Sequence, residues 1–171
     1  MKFFFVYLLF LNTLLYSQNR EKTDSTAYYI SLNYPAVHDN NYKEALLLIQ
    51  KAILIAETND NTKEQASQNY NRGKLYYDLK KYDDAIESLL RSSELYDRIK
   101  PSSKAVAANY TAGLCYMSKD NYDKATSYFD KAESIHTQLN LNDSAQLFNL
   151  QRGLIYKAKN NIELALPFFE T

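Results

Sequence analysis

From Asn41 onward, apolar side chains recur at spacings of three and four, and short polar stretches interrupt them. One half-pattern reads Tyr42-x-x-Ala45-x-x-x-Ile49-x-x-Ala52. It returns as Tyr82-x-x-Ala85-x-x-x-Leu89-x-x-Ser92, as Tyr122-x-x-Ala125-x-x-x-Phe129-x-x-Ala132 and as Ile162-x-x-Ala165-x-x-x-Phe169. Spacings of three and four put these residues on one helical face. A second half-pattern alternates with it: Asn69 to Gly73 to Tyr76, Asn109 to Gly113 to Tyr116, and Asn149 to Gly153 to Tyr156. The polar pairs Lys80-Lys81, Asp120-Asn121 and Asn160-Asn161 lie between the halves. The pattern predicts helices near 41–58, 62–79, 82–99, 102–119, 122–139, 142–159 and 162–170. Asn41-x-x-Glu44 and Thr62-x-x-Gln65 read as capping boxes, and Asn121 and Asn161 as caps. Pro101 falls between units, where a helix must stop, and Pro167 sits deep in the last predicted helix.

The three glycines of the chain are 40 residues apart, and a fixed period of this kind marks a stack of supersecondary units. Gly on one helix is expected to face Ala on the next, so that the backbones approach closely. The rings at Tyr76, Tyr82 and their counterparts are expected to fill the space beside that contact.

Gly-x-x-Tyr, a turn, then Tyr-x-x-Ala-x-x-x-Phe-x-x-Ala resembles the tetratricopeptide repeat. The resemblance covers roughly Asn41 to the end. Two features depart from it. Asparagine holds the position usually taken by tryptophan, and Arg72, Ala112 or Arg152 precedes the glycine where leucine is usual. The period also exceeds the usual ~34 residues, which is similar to a longer-repeat branch of the family. The resemblance implies an all-α fold: a right-handed superhelical solenoid of antiparallel helix pairs. Residues 41–171 would hold the second helix of a first unit, two full units and a truncated one. Residues 18–40 form an irregular lead-in with a partial helix near Thr26 to Asn33, which Pro35 keeps from being a full first helix. A solenoid normally closes on a polar capping helix, so the sequence reads as a fragment of a longer protein, or as a chain whose exposed end packs on a partner.

In proteins of this resemblance the first helices of successive units line a groove. The face one, five and eight residues after each asparagine carries Tyr70, Lys74 and Tyr77, then Tyr110, Leu114 and Met117, then Leu150, Leu154 and Lys157. That face suits a peptide with large apolar side chains. The same residues could instead pack between units. The family's clamp for a C-terminal carboxylate is not matched, because Lys74 has leucines as counterparts. The asparagine ladder reads in two ways: local backbone satisfaction, or one amide per repeat offered to a ligand.

Composition adds an address and excludes some chemistry. Met1-Lys2 precedes an apolar run from Phe3 to Leu11, and a polar stretch follows Ser17-Gln18. Residues 1–17 therefore read as an export signal cleaved after Ser17, with an uncleaved anchor as the alternative. The run is shorter than the ~20 residues a spanning helix needs. No cysteine near residue 18 offers a lipid attachment site. The expected location is periplasmic or secreted. The Lys-, Asn- and Tyr-rich usage is similar to that of Bacteroidetes-type bacteria.

Net charge is zero, with 20 basic and 20 acidic residues, so no basic stripe for nucleic acid is present. Cys115 is the only cysteine and reads as a small buried apolar side chain. His38 and His136 occupy unrelated repeat positions, read as surface residues, and fit no metal spacing. No phosphate loop or nucleophile motif is found, and no cofactor is implied. The chain is thus expected to be a non-enzymatic protein- or peptide-binding module. The alternative is a periplasmic input region of a larger membrane-bound regulator, of histidine kinase or DNA-binding type.

Overall fold

The computed structural model describes residues 27–33, 36–141 and 145–170. The signal read at 1–17, the lead-in up to residue 26, and Pro35 lie outside the described residues. The chain divides into two compact units, one ending at Asn61 and the other beginning at Thr62.

In the first unit, residues 27–33 form a helix, α1, and residues 36–38 are helical too. Helix α2 spans Tyr42–Thr58. Its buried residues Ala45, Leu48, Ile49, Ala52, Ile53 and Ala56 form one stripe at spacings of three and one. The Asn33 amide donates to the Ala45 carbonyl at 3.0 Å, which ties α1 to the start of α2.

The second unit holds α3 Thr62–Asp78, α4 Tyr82–Asp97, α5 Ser103–Ser118, α6 Tyr122–Gln138, α7 Ala145–Ala158 and the short α8 Ile162–Ala165. Consecutive helices pack on one another, and α3 also touches α5, the first helix of the following pair. No strand occurs among the described residues. This is the all-α stack of helix pairs that the period predicts.

Six turns explain the regularity. Asn40, Asp60, Lys80, Asp120, Asn140 and Asn160 adopt left-handed backbone, with φ between 49° and 59°. Each closes the helix before it with a pair of bonds. At the third turn, Lys80 N–H donates to the Tyr77 carbonyl at 2.8 Å and Lys81 N–H to the Tyr76 carbonyl at 2.9 Å. This is the Schellman arrangement, which satisfies carbonyls a helix end would otherwise leave bare. The series steps by 20 residues but skips Lys100. Its successor is Pro101, which has no N–H to make the second bond. The chain there runs on to Ser102, whose Oγ caps α5 through Ala105 N–H at 3.3 Å.

The same turns correct one expected cap. Asn41 Oδ1 accepts from Glu44 N–H at 3.4 Å, as a capping box requires. Glu44 does not reach back to the Asn41 N–H, because that donor already bonds the Ala36 carbonyl at 2.8 Å. Glu44 Oε2 takes the Asn41 side-chain amide instead. Thr62 is the first residue inside α3 rather than a cap before it. Asn121 and Asn161 do cap, accepting from Lys124 N–H at 3.2 Å and Leu164 N–H at 3.4 Å. The helix predicted for 162–170 is also corrected. It stops at Ala165 and tightens into a 3-10 turn over Leu166–Phe168, since Pro167 cannot donate to a carbonyl one turn back.

Candidate functional site

In the second unit the repeat-defining small residues and Phe129 lie inside, the repeat tyrosines are half-buried and Phe169 is exposed. Ala85, Ala125 and Ala165 are buried, and so are the three glycines. The glycines do not chiefly face those alanines, as the sequence reading expected. A Cβ on Gly73 would lie 2.6 Å from Leu89 Cγ, one on Gly113 2.6 Å from Phe129 Cε1, and one on Gly153 2.7 Å from Phe169 Cε1. The large side chain four residues after the alanine lies on the glycine. At Gly73 the Ala85 carbonyl oxygen comes near as well, at 3.2 Å. Tyr116 stacks on Tyr128 with ring centres 5.4 Å apart, and Tyr156 stacks on Phe168 at 5.6 Å. Tyr42 and Tyr122 donate their hydroxyls to Asn40 and Asp120, the left-handed residues just before them.

On the first-helix face, Tyr70 and Tyr77 pack half-buried against the cluster of Ala85, Leu89, Ala108, Ala112 and Cys115. Tyr110, Leu114 and Met117 pack half-buried against the cluster around Phe129 and Phe148. Burial pushes the Tyr70, Tyr77 and Tyr110 phenols above the usual tyrosine range. Tyr110 sits edge-on to Phe148 at 6.0 Å and accepts from the Gln151 amide at 2.9 Å, so it joins α5 to α7. Leu150 and Leu154 are exposed, at 44% and 36%. Lys74 is exposed and paired with Asp78 at 2.7 Å, and Lys157 is exposed. The face is therefore half-buried and aromatic along α3 and α5, and openly apolar along α7.

Two of the three ladder asparagines turn inward. Asn109 is fully buried, donates to the Ala105 carbonyl at 2.8 Å and accepts from Ser93 Oγ at 3.0 Å. Asn69, also buried, donates to the Gln65 carbonyl at 2.8 Å and accepts from Arg72 at 2.9 Å. These two are committed to the fold. Lys131 continues the Asn109 network, donating to Ser93 Oγ at 2.9 Å and pairing with Asp97 at 2.8 Å.

Cys115 is fully buried, and burial pushes its thiol up to about 12. It is not poised for nucleophilic chemistry. His38 is exposed beside Asp39, but His136 is half-buried, edge-on to Phe148 at 6.1 Å, which corrects its reading as a surface residue. Among the described residues, no group of three or more His, Cys, Asp or Glu is placed to hold a metal ion. No described helix is long and apolar enough to cross a membrane.

One feature escaped the sequence reading. A cleft of about 320 Å³ opens between α6 and α7, lined by Asp123, Thr126, Asp130, Arg152, Ile155, Tyr156 and Lys159. Arg152 bonds Asp130 at 2.8 Å and Glu133 at 2.5 Å. Those carboxylates, Glu133 foremost, hold its guanidinium above the usual arginine range. Lys159 bonds Asp123 at 2.8 Å and keeps that carboxyl below the usual aspartate range. The signal lay in the repeat alignment. Thr126, Asp130 and Arg152 stand where Ile86, Leu90 and Ala112 stand one period earlier.

A tetratricopeptide repeat family model matches residues 69–98 and 106–145. No curated protein matches the chain by sequence. Among solved structures, BtubC (BKLC) from P. vanneervenii is similar, with a TM-score of 0.74 and 19% identity over 85% of this chain and 60% of that one. MamA gives a TM-score of 0.65 and 21% identity over 85% of this chain and 74% of that one. Aspartyl phosphate phosphatase F from Bacillus subtilis gives 0.74 and 17% over 85% and 38%. At these identities the likeness is one of fold. The chain spans three fifths of the length of BtubC.

Proposed function

We propose, from the premise that this chain carries tetratricopeptide repeats, that it is a non-enzymatic module that binds a protein or peptide partner. The observation that carries this reading is the first-helix face of the second unit. It runs from the half-buried rings of Tyr70, Tyr77 and Tyr110 to the exposed Leu150 and Leu154. Leu150 and Leu154 lie one turn apart on α7 and offer apolar surface that a partner would cover. Lys74 and Lys157 flank the strip and would orient an acidic group of the partner. The partner chemistry that fits is a peptide or helix with large apolar side chains and a nearby carboxylate.

The apolar run from Phe3 to Leu11 after Lys2 supports export to the periplasm or beyond, as a free scaffold or as the input region of a membrane-bound regulator. Fractionation of cells expressing the full chain, with mass measurement of its N-terminus, tests the export. A mature chain beginning at Gln18 is expected. An intact cytoplasmic chain would remove the export from this reading.

The binding is tested by capture with the full chain and with Leu150→Ser/Leu154→Ser, followed by titration of the purified partner. Loss of at least tenfold in affinity at an unchanged melting temperature is expected. Equal affinity of both chains would move the site off this face.

A further inference from the structure

The geometry points to a second binding site, the cleft between α6 and α7, which takes a small zwitterion carrying both an ammonium and a carboxylate, such as a free amino acid or dipeptide. It lies on the opposite side of α7 from Leu150 and Leu154, and it stands independently of the groove. Three observations carry it.

The first is the arrangement of charge. The α6 wall presents Asp123 and Asp130, one at each end, with Thr126 between them. The α7 wall presents Lys159 and Arg152 opposite them, joined across at 2.8 Å in each case. A simple anion would meet the α6 carboxylates, and a simple cation the α7 bases. A ligand of both signs matches both walls at once when these pairs open.

The second is exposure. Asp123 and Asp130 are 91% and 54% exposed, and such pairs contribute little to stability. Exchanging one partner of each pair for a ligand group of the same sign therefore costs little. Arg152 remains anchored through Glu133, so the α7 wall keeps its shape during the exchange. Beside the charges, the half-buried Tyr156 ring, itself stacked on Phe168, offers apolar surface for a side chain. The volume of about 320 Å³ lies at the small end of ligand sites.

The third is that the fold does not require these residues. One period earlier, Ile86 and Leu90 pack on the cluster that contains Ala112, and the joint between α4 and α5 is apolar. The same stack thus accepts an apolar joint, and ion pairs at half-exposed positions stabilise no better than such packing does.

Calorimetric titration of the full chain with alanyl-leucine, its N-acetyl form and its C-terminal amide tests the site. Saturable binding of the free dipeptide is expected, weakened at least tenfold by either block. Arg152→Gln should weaken it at least tenfold. Thr126→Ile/Asp130→Leu/Arg152→Ala copies the preceding joint, should keep the melting temperature, and should abolish binding. Leu154→Ser, on the opposite face, should leave it unchanged. The site is overturned by the absence of saturable heat at millimolar dipeptide, by equal binding of the blocked forms, or by full binding to the closed-joint variant.

Discussion

Gly113 lies against the edge of the Phe129 ring, so close that a Cβ there would come within 2.6 Å of Phe129 Cε1. Phe129 is fully buried and pressed by Tyr110 at 5.3 Å, so the ring has nowhere to go. Gly113→Ala should gain about 1 kcal/mol in helix propensity yet lose about 1–3 kcal/mol to overpacking. A net fall in the denaturant midpoint is expected. Gly153 meets an equally close ring, Phe169, but that ring is 44% exposed and can swing outward. Gly153→Ala should therefore cost less than Gly113→Ala, the Phe168 Cβ at 3.2 Å being the close contact that remains. Equal effects at the two glycines would contradict the packing described.

Lys80 is the only one of the six left-handed turn residues that is not asparagine or aspartate. A non-glycine residue there costs about 1–2 kcal/mol, less for Asn and Asp. Lys80→Gly should raise stability by up to about 1 kcal/mol, and Lys80→Val should lower it by at least as much. Thermal melts of both variants check this. A destabilised Lys80→Gly would show that the lysine side chain, not the backbone, governs this turn.

The register of the stack was legible because each repeat buries the same positions. Gly73, Gly113 and Gly153 must be small wherever a large side chain lands 16 residues later, so the sequence shows them directly. Exposure was less legible. Leu114 and Leu154 hold the same repeat position, yet Leu114 packs half-buried against the cluster around Phe129 while Leu154 is 36% exposed. What covers a residue on this face is supplied by the neighbouring helix, and a local pattern does not encode it. The cleft between α6 and α7 was missed for a related reason. Each of Thr126, Asp130 and Arg152 is unremarkable on a helix surface, and only their joint difference from Ile86, Leu90 and Ala112 marks the place.

The Asn109 network predicts a purely structural penalty. The Asn109 amide satisfies the Ala105 carbonyl, and its oxygen receives Ser93 Oγ, which in turn receives Lys131. Asn109→Ala would leave the Ser93 hydroxyl donor buried without that acceptor, a loss of about 1–3 kcal/mol. Partner affinity, measured below the new melting temperature, should not change. A stable variant with weakened binding would restore the reading in which the asparagines serve a ligand.

Alkaline pH should unfold the second unit through a buried thiol first and buried phenols after it. Burial raises Cys115 from 9.0 to about 12 and raises Tyr70, Tyr77, Tyr96, Tyr110 and Tyr116 above 10.0. The unfolded chain then releases these protons at lower pH than the folded chain does. Stability is full below pH 9 and falls as pH rises toward the folded values. For Cys115 alone the slope approaches about 1.4 kcal/mol per pH unit. Urea midpoints of the wild type should already decline between pH 9 and 10, before most tyrosines titrate. Cys115→Ala should be less stable at pH 7 and should decline less steeply than the wild type across that interval, where the unfolded phenols begin to release their protons too. A wild-type midpoint constant to pH 10 would mean that the thiol is open to solvent, contrary to its place beneath Tyr77 and Leu89.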